Sequence, residues 1–307
     1  MNIYYLEPLS RAWTRMKLAL FKPFDLNKWM VMGFTAFLAT LMDGHNRGGG
    51  SGGDRSGADW EDIIDGPRYA WEWLLDHTWW LMFGIFIVCV IIFVVVLFTW
   101  LSSRGKFMFL DNVVQDKAEV VKPWHQFKEL GNSLFLWRLC YGFFVFGLFM
   151  VFFVIGFIRM AQIYDETGFS YVPVLFILQM VLMFILMLII FGYISMFLDH
   201  FVVPIMYKNN IRVLSAWSNF ITLLSQHFLY FILYGLLIFV LTVAIIILII
   251  FFGLFTCCLG FLLLMIPYIG SVMTLPITYT IRALGLEFLA QFGDEYVIFE
   301  EIKQLQK

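Results

Sequence analysis

The sequence predicts an all-α fold, a polytopic bundle of membrane helices, and three observations carry that reading. Of 307 residues, 62% are hydrophobic and only 14% charged, with a mean hydropathy of +0.86. A soluble domain carries about a quarter charged residues. Six apolar runs reach or approach the roughly 20 residues needed to cross about 30 Å of hydrocarbon. Finally, Leu110-Asp111, Leu198-Asp199 and Leu286-Glu287 recur every 88 residues, each just past the end of a long apolar run.

The runs are Leu26–Met42, Trp80–Leu101, Leu134–Ile158, Val172–Leu198, Phe228–Phe255 and Leu259–Ile281. The first is short and opens on Asn27 and Lys28, which can snorkel to an interface. The last carries Pro267, Gly270 and Pro276, with Gly285 just beyond. Such interruptions either kink a packed span or free backbone groups for a ligand.

Around the spans the sequence repeats a second pattern. Trp124-x2-Phe127 precedes Gly142, and Trp217-x2-Phe220 precedes Gly235, by the same interval; Trp13-x2-Met16 precedes Gly33 by slightly more. Leu9, Ala12, Trp13, Met16 and Leu20 form a helical stripe beside Arg11, Arg15 and Lys22. Ile211, Leu214, Trp217, Ile221 and Leu224 form another. Each copy therefore reads as an amphipathic cytoplasmic helix, two spans and a Leu-acid pair. This gives six transmembrane helices in three like-oriented, pseudo-repeated hairpins.

The expected organisation is a single integral membrane domain, 1–307. Residues 1–42 supply the first amphipathic helix and span, 43–79 an external loop, and 80–111 the second span. Residues 112–199 and 200–287 form the second and third hairpins, and 288–307 a cytoplasmic tail. Within the loop, GHNRGGGSGGDRSG (44–57) is a flexible polar tether. The acidic, aromatic stretch from Asp59 to Thr78 then reads as an interfacial segment or as a docking surface for a periplasmic partner.

All twenty basic residues except Arg47, Arg55, Arg68 and Arg159 fall on one side of these spans. Basic residues mark the cytoplasmic side, so both termini are expected there, in a bacterial inner membrane. No secretory leader is recognised in residues 1–25. The net charge of -2 leaves no basic stripe for nucleic acid. The four cysteines show no CxxC spacing, so neither a disulfide framework nor a metal site is indicated. Asp199-His200 with His227 is a weak relay or metal signal. Enzyme signatures are missing too, so neither a catalytic residue nor a cofactor is expected.

Asp111, Asp199 and Glu287 are the candidate site. Acids at membrane depth mark ion or substrate paths, and three around an axis would ring a cytoplasmic mouth. The other reading pairs them with nearby bases, Arg104, Arg138 or Arg282, as structural ion pairs. Arg138, several residues into an apolar run, either snorkels or holds a lipid phosphate. Trp13, Trp124, Trp217, Trp79 and Trp80 are expected as interfacial anchors. The expected partners are membrane lipids, with homo-oligomer formation or a periplasmic protein as further possibilities through the 43–79 loop.

The six-span layout, the stretch SRGKFMFLDNVV (103–114) and the ending RALGLEFLAQFGDEY (282–296) resemble uncharacterised bacterial six-span membrane families. These are similar to the membrane domain of some glycerophosphodiester phosphodiesterases. In those fusions a separate soluble barrel carries catalysis, so the resemblance transfers no catalytic residue. The amphipathic helices and the tethered outer loop point to a non-enzymatic lipid-interacting or scaffold protein; a small transporter or channel built on the acidic trio and the broken sixth span is the alternative.

Overall fold

A computed structural model describes residues 3–43, 69, 73, 75–167, 174–256 and 259–299, with the side chains of 164–167 and Leu259 excepted. The 44–57 tether, most of the acidic aromatic stretch, Pro173, Cys257, Cys258 and residues 300–307 lie outside the described residues. Among the described residues every regular element is helical.

The N-terminal helix is α1, Leu6–Phe21, and it ends before Lys22-Pro23. Asp25 then caps α2, Leu26–Thr40, by accepting the Asn27 N–H at 2.8 Å. Two much longer helices follow, α3 (Thr78–Gln115) and α5 (Lys128–Thr167), separated by the short α4 (Val121–Gln126). Next come α6 (Val174–Phe197), a wide π-helical turn (Leu198–Val202) and α7 (Val203–Asn209). Pro204 explains the wide turn: it lacks an N–H, and its ring would strike the carbonyl four residues back in a regular α-helix. Asn210, in the left-handed region at φ 51°, stops the run.

Helix α8, Val213–Phe255, is bent at His227, whose φ of -132° is not helical. The bend falls where the sequence separates an amphipathic helix from a span. The last segment is broken into α9 (Leu259–Met265), α10 (Pro267–Met273) and α11 (Leu275–Leu289). Helix α10 opens on Pro267 and α11 has Pro276 as its second residue, first-turn positions where the missing N–H costs nothing.

Among the described residues, four stretches are long and apolar enough to cross a membrane: Thr78–Gln115, Lys128–Ile163, Val174–Asn209 and Val213–Phe255. A fifth is obtained if Pro267–Met273 and Leu275–Phe292, bent by 64°, form one span. The first of the six expected runs is not among them. With 15 residues, α2 rises only about 22 Å at 1.5 Å per residue, short of a roughly 30 Å hydrocarbon layer. The 38 residues of α3, by contrast, rise about 57 Å.

The chain divides into two compact units. One gathers residues 48–98 and 139–189, where Phe149, Phe152 and Phe153 meet Phe184 with ring centroids 5.7–6.3 Å apart. Most of its large apolar side chains are exposed, as those of lipid-facing spans would be. The other unit gathers residues 1–47, 99–138 and 190–307 and holds the core. Phe201, Phe220, Phe231, Tyr234 and Phe288 are fully buried there, with ring centroids as close as 4.4 Å between Tyr234 and Phe288. The expected tail is part of this core as far as Phe299, since Phe288, Leu289, Val297, Ile298 and Phe299 are buried.

The stripe predicted on α1 is buried, or half-buried at Leu9, except at Trp13, and the one predicted on α8 is rotated. On α1, Ala12, Met16 and Leu20 are buried against the core, but Trp13 faces out. On α8 the buried face is Val213, Ala216, Phe220 and Leu223, while Leu214 and Ile221 are exposed. Helix α2 is held against α3 by backbone proximity: a Cβ on Gly105 would lie 2.6 Å from the Leu38 carbonyl carbon and 2.7 Å from the Ala39 nitrogen. Those atoms belong to a helix backbone and cannot yield locally. Gly105→Ala is therefore expected to destabilise the protein by about 1–3 kcal/mol, measured by unfolding of the detergent-solubilised protein.

Candidate functional site

Five charged side chains from five different elements converge in the core unit. Asp43 follows the turn that ends α2, and α3 supplies Lys106. Arg138 comes from α5, Asp199 from the wide turn after α6, and Arg282 from α11. Lys106 is 1% exposed, so its ammonium must find partners within the protein. It donates to Asp199 Oδ1 at 2.6 Å and to the two Asp43 oxygens at 2.8 and 3.1 Å. Three contacts match the three donors of an ammonium.

Arg138 reaches the same Asp43 at 3.3 Å and donates to the Ser102 hydroxyl at 3.0 Å. Ser102 in turn donates to the Ala39 carbonyl at 2.9 Å, which ties the cluster to the close α2–α3 approach. Arg282 donates to the backbone carbonyl of Asp199 at 2.7 Å. Gly285, one turn beyond Arg282, allows α11 to pass the His200 carbonyl, which a Cβ would meet at 3.1 Å. The adjacent His200 shares a 2.7 Å hydrogen bond between Nδ1 and the Tyr234 hydroxyl.

The three acids predicted as a set do not share one set of partners. Asp111 accepts from Tyr207 and Gln115, both at 2.7 Å. Asp199 belongs to the Lys106 cluster. Glu287, fully buried, accepts from Arg15 Nε at 2.6 Å and lies 3.8 Å from Arg11 Nε, so it anchors α1 to α11. Its second oxygen is buried without a hydrogen bond.

Of the three bases proposed as partners, only Arg282 and Arg138 approach an acid. Arg138 pairs with Asp43 rather than with a member of the trio. Arg104 instead places its guanidinium 4.4 Å from the Trp100 ring centroid and 4.8 Å from that of Trp124, and donates to Asn132 at 3.1 Å. Trp124 is thus half of a cation clamp. Trp217 stacks on Trp137 at 5.5 Å, whereas Trp13, Trp79 and Trp80 are exposed. His227 packs on Phe292 at 5.2 Å. Among the described residues no group of three His, Cys, Asp or Glu is placed to hold a metal.

Sequence reasoning missed Asp43, Lys106, Arg15 and Tyr207. A signal for one of them was present. Lys106 precedes Asp111 by the same five positions that separate Arg282 from Glu287, and both bases converge on Asp199. The sequence also placed Asp43 outside the membrane and Lys106 on the basic inner side. Side chains 2.8 Å apart cannot face opposite sides of a layer about 30 Å thick, so residues 26–42 do not separate them.

A family of unknown function, DUF7544, matches residues 3–296. The chain belongs to that family. The match covers both units, so the core unit and the long apolar helices are family territory together. The family description names no activity and makes no connection with glycerophosphodiester phosphodiesterases. No curated protein and no solved structure matches the chain.

Asp199→Asn would leave the cluster with two excess positive charges, and breaking a buried pair costs about 3–5 kcal/mol. That variant is expected to lose more stability than Arg138→Gln, which removes excess charge; chemical unfolding of both in detergent tests the order. Glu287→Gln is expected to loosen α1 selectively, seen as faster amide exchange in residues 6–21 with little change in α8.

Proposed function

We propose that the chain is a non-enzymatic, lipid-interacting membrane protein of scaffold or assembly type. The observation that carries this reading is the separate engagement of the three acids. Asp111, Asp199 and Glu287 each accept a hydrogen bond at 2.6–2.7 Å from a different element, an arrangement that suits fixing helix ends more than passing an ion. Support also comes from the long helices, whose most apolar stretches are scarcely buried within the protein and so meet lipid or another protein. The exposed Trp79 and Trp80 at the start of α3 suit an interfacial belt.

The same proposal includes a bacterial inner membrane with both terminal segments on the cytoplasmic face. Tyr4 and Gln291 exchange two hydrogen bonds at 2.8 and 2.9 Å, which supports a common side for these segments. The 88-residue echo, retained as a proposed threefold duplication, would then have diverged most in its first copy, where α2 is too short to span. Homo-oligomer formation, or a protein partner at the 43–79 loop, belongs to the proposal as the assembly partner.

The second reading is a small transporter or channel with the acidic trio at its cytoplasmic mouth. The 64° break between α10 and α11 favours it, because interrupted helices free backbone groups for a substrate. Reconstitution into proteoliposomes separates the two. Retained lipid with no ion or solute flux under imposed gradients is expected. Flux that falls when Asp111, Asp199 and Glu287 are neutralised together would establish the transporter reading instead.

A further inference from the structure

The charges of the core cluster do not balance. Lys106, Arg138 and Arg282 are cationic, Asp43 and Asp199 anionic, and an arginine keeps its charge in any protein environment. The surplus is one positive charge. Asp111, on the same helix as Lys106, does not remove it by contact: its partners are Tyr207 and Gln115, and the charged groups that act on it are Glu119 and Lys122. Glu287 is committed to Arg15.

The imbalance sits on the two arginines. Lys106 holds both carboxylates and is spent on them. Arg138 has one long contact to Asp43 at 3.3 Å and otherwise donates to serine hydroxyls. Arg282 donates to a backbone carbonyl and forms no ion pair among the described residues. Two guanidinium forks therefore stand at one cluster with less than one carboxylate between them. The cluster is also open to the surroundings, since Asp43 and Asp199 keep 26% and 24% of their side-chain surface exposed. An uncompensated charge at the edge of apolar helices is costly. A planar fork with free donors is the side chain best suited to bind a phosphate through two hydrogen bonds.

We propose that the Lys106–Arg138–Arg282 cluster binds one phosphate group, carried by a lipid headgroup or by free phosphate. Arg138 and Arg282 hold its oxygens, the Ser102 hydroxyl lies beside them, and Asp43 and Asp199 keep Lys106 in place beneath. The phosphate supplies the missing negative charge. This site rests on the lipid-interacting reading and gives it a chemical address.

The test uses the full chain in detergent micelles and follows its melting temperature. The additions are phosphatidylglycerol, diacylglycerol with the same acyl chains, or inorganic phosphate at constant ionic strength. Saturable stabilisation by phosphatidylglycerol and not by diacylglycerol is expected. An equal effect of inorganic phosphate assigns the site to free phosphate; no effect of it assigns the site to the headgroup. Arg138→Gln and Arg282→Gln should each weaken the apparent affinity about ten- to a hundredfold, the worth of one charge-assisted contact. Arg104→Gln, outside the cluster, should leave it unchanged. Should either glutamine variant fail to fold, Arg138→Lys keeps the charge but loses the fork and is still expected to bind more weakly. No saturable stabilisation, or stabilisation that survives the cluster substitutions, overturns the site. Lipid retained elsewhere on the protein would leave the lipid-interacting reading standing, whereas solute flux in proteoliposomes would remove that reading itself.

Discussion

The Lys106 ammonium, closed between Asp43 and Asp199, is the constraint on which the rest of the core unit depends. It is almost completely buried, so its charge has to be met inside the protein. Meeting it brings together the end of α2, the middle of α3 and the wide turn after α6. Arg138 and Arg282 then join from α5 and α11. Apolar burial is non-directional, whereas a charge-assisted hydrogen bond at 2.6 Å fixes the distance and orientation of its partners. The cluster thereby sets the register among elements that are far apart in sequence.

The local irregularities around it follow from the same demand. Gly105 lets α2 come close enough for Asp43 to reach Lys106. Pro204 widens the turn that presents Asp199, and Gly285 lets α11 pass close enough for Arg282 to reach the Asp199 carbonyl. Small residues allow close helix approach in membrane proteins, where apolar burial gives little net attraction between spans. The aromatic core of Phe201, Phe220, Phe231, Tyr234 and Phe288 packs directly beside this arrangement, joined to it through His200.

Much of the secondary structure could be read from the chain because it depends on local chemistry. Apolar runs gave the long helices, and Pro267 and Pro276 marked the restarts of the last segment. The boundary expected before Phe228 is the bend at His227. What could not be read is which side chains meet. The trio of acids is visible as a pattern, yet its partners Lys106, Arg15 and Tyr207 come from distant elements and are chosen by packing. The helical stripe on α8 was misjudged by about one residue, and Trp13 was wrongly counted in the stripe on α1, since a flanking Trp or Leu is as apolar as its buried neighbour. Hydropathy alone does not decide α2 for a related reason: a short apolar helix buried against protein has the composition of one crossing lipid.

The central claim is that Asp43 and Lys106 are in contact in the folded protein, which also removes 26–42 as a separator of two membrane faces. A double-mutant cycle with Asp43→Asn and Lys106→Gln, read by reversible unfolding in detergent, tests it most directly. Residues in contact should show a coupling of about 0.5–3 kcal/mol. Additive effects, agreeing within about 0.3–0.5 kcal/mol, would contradict the account.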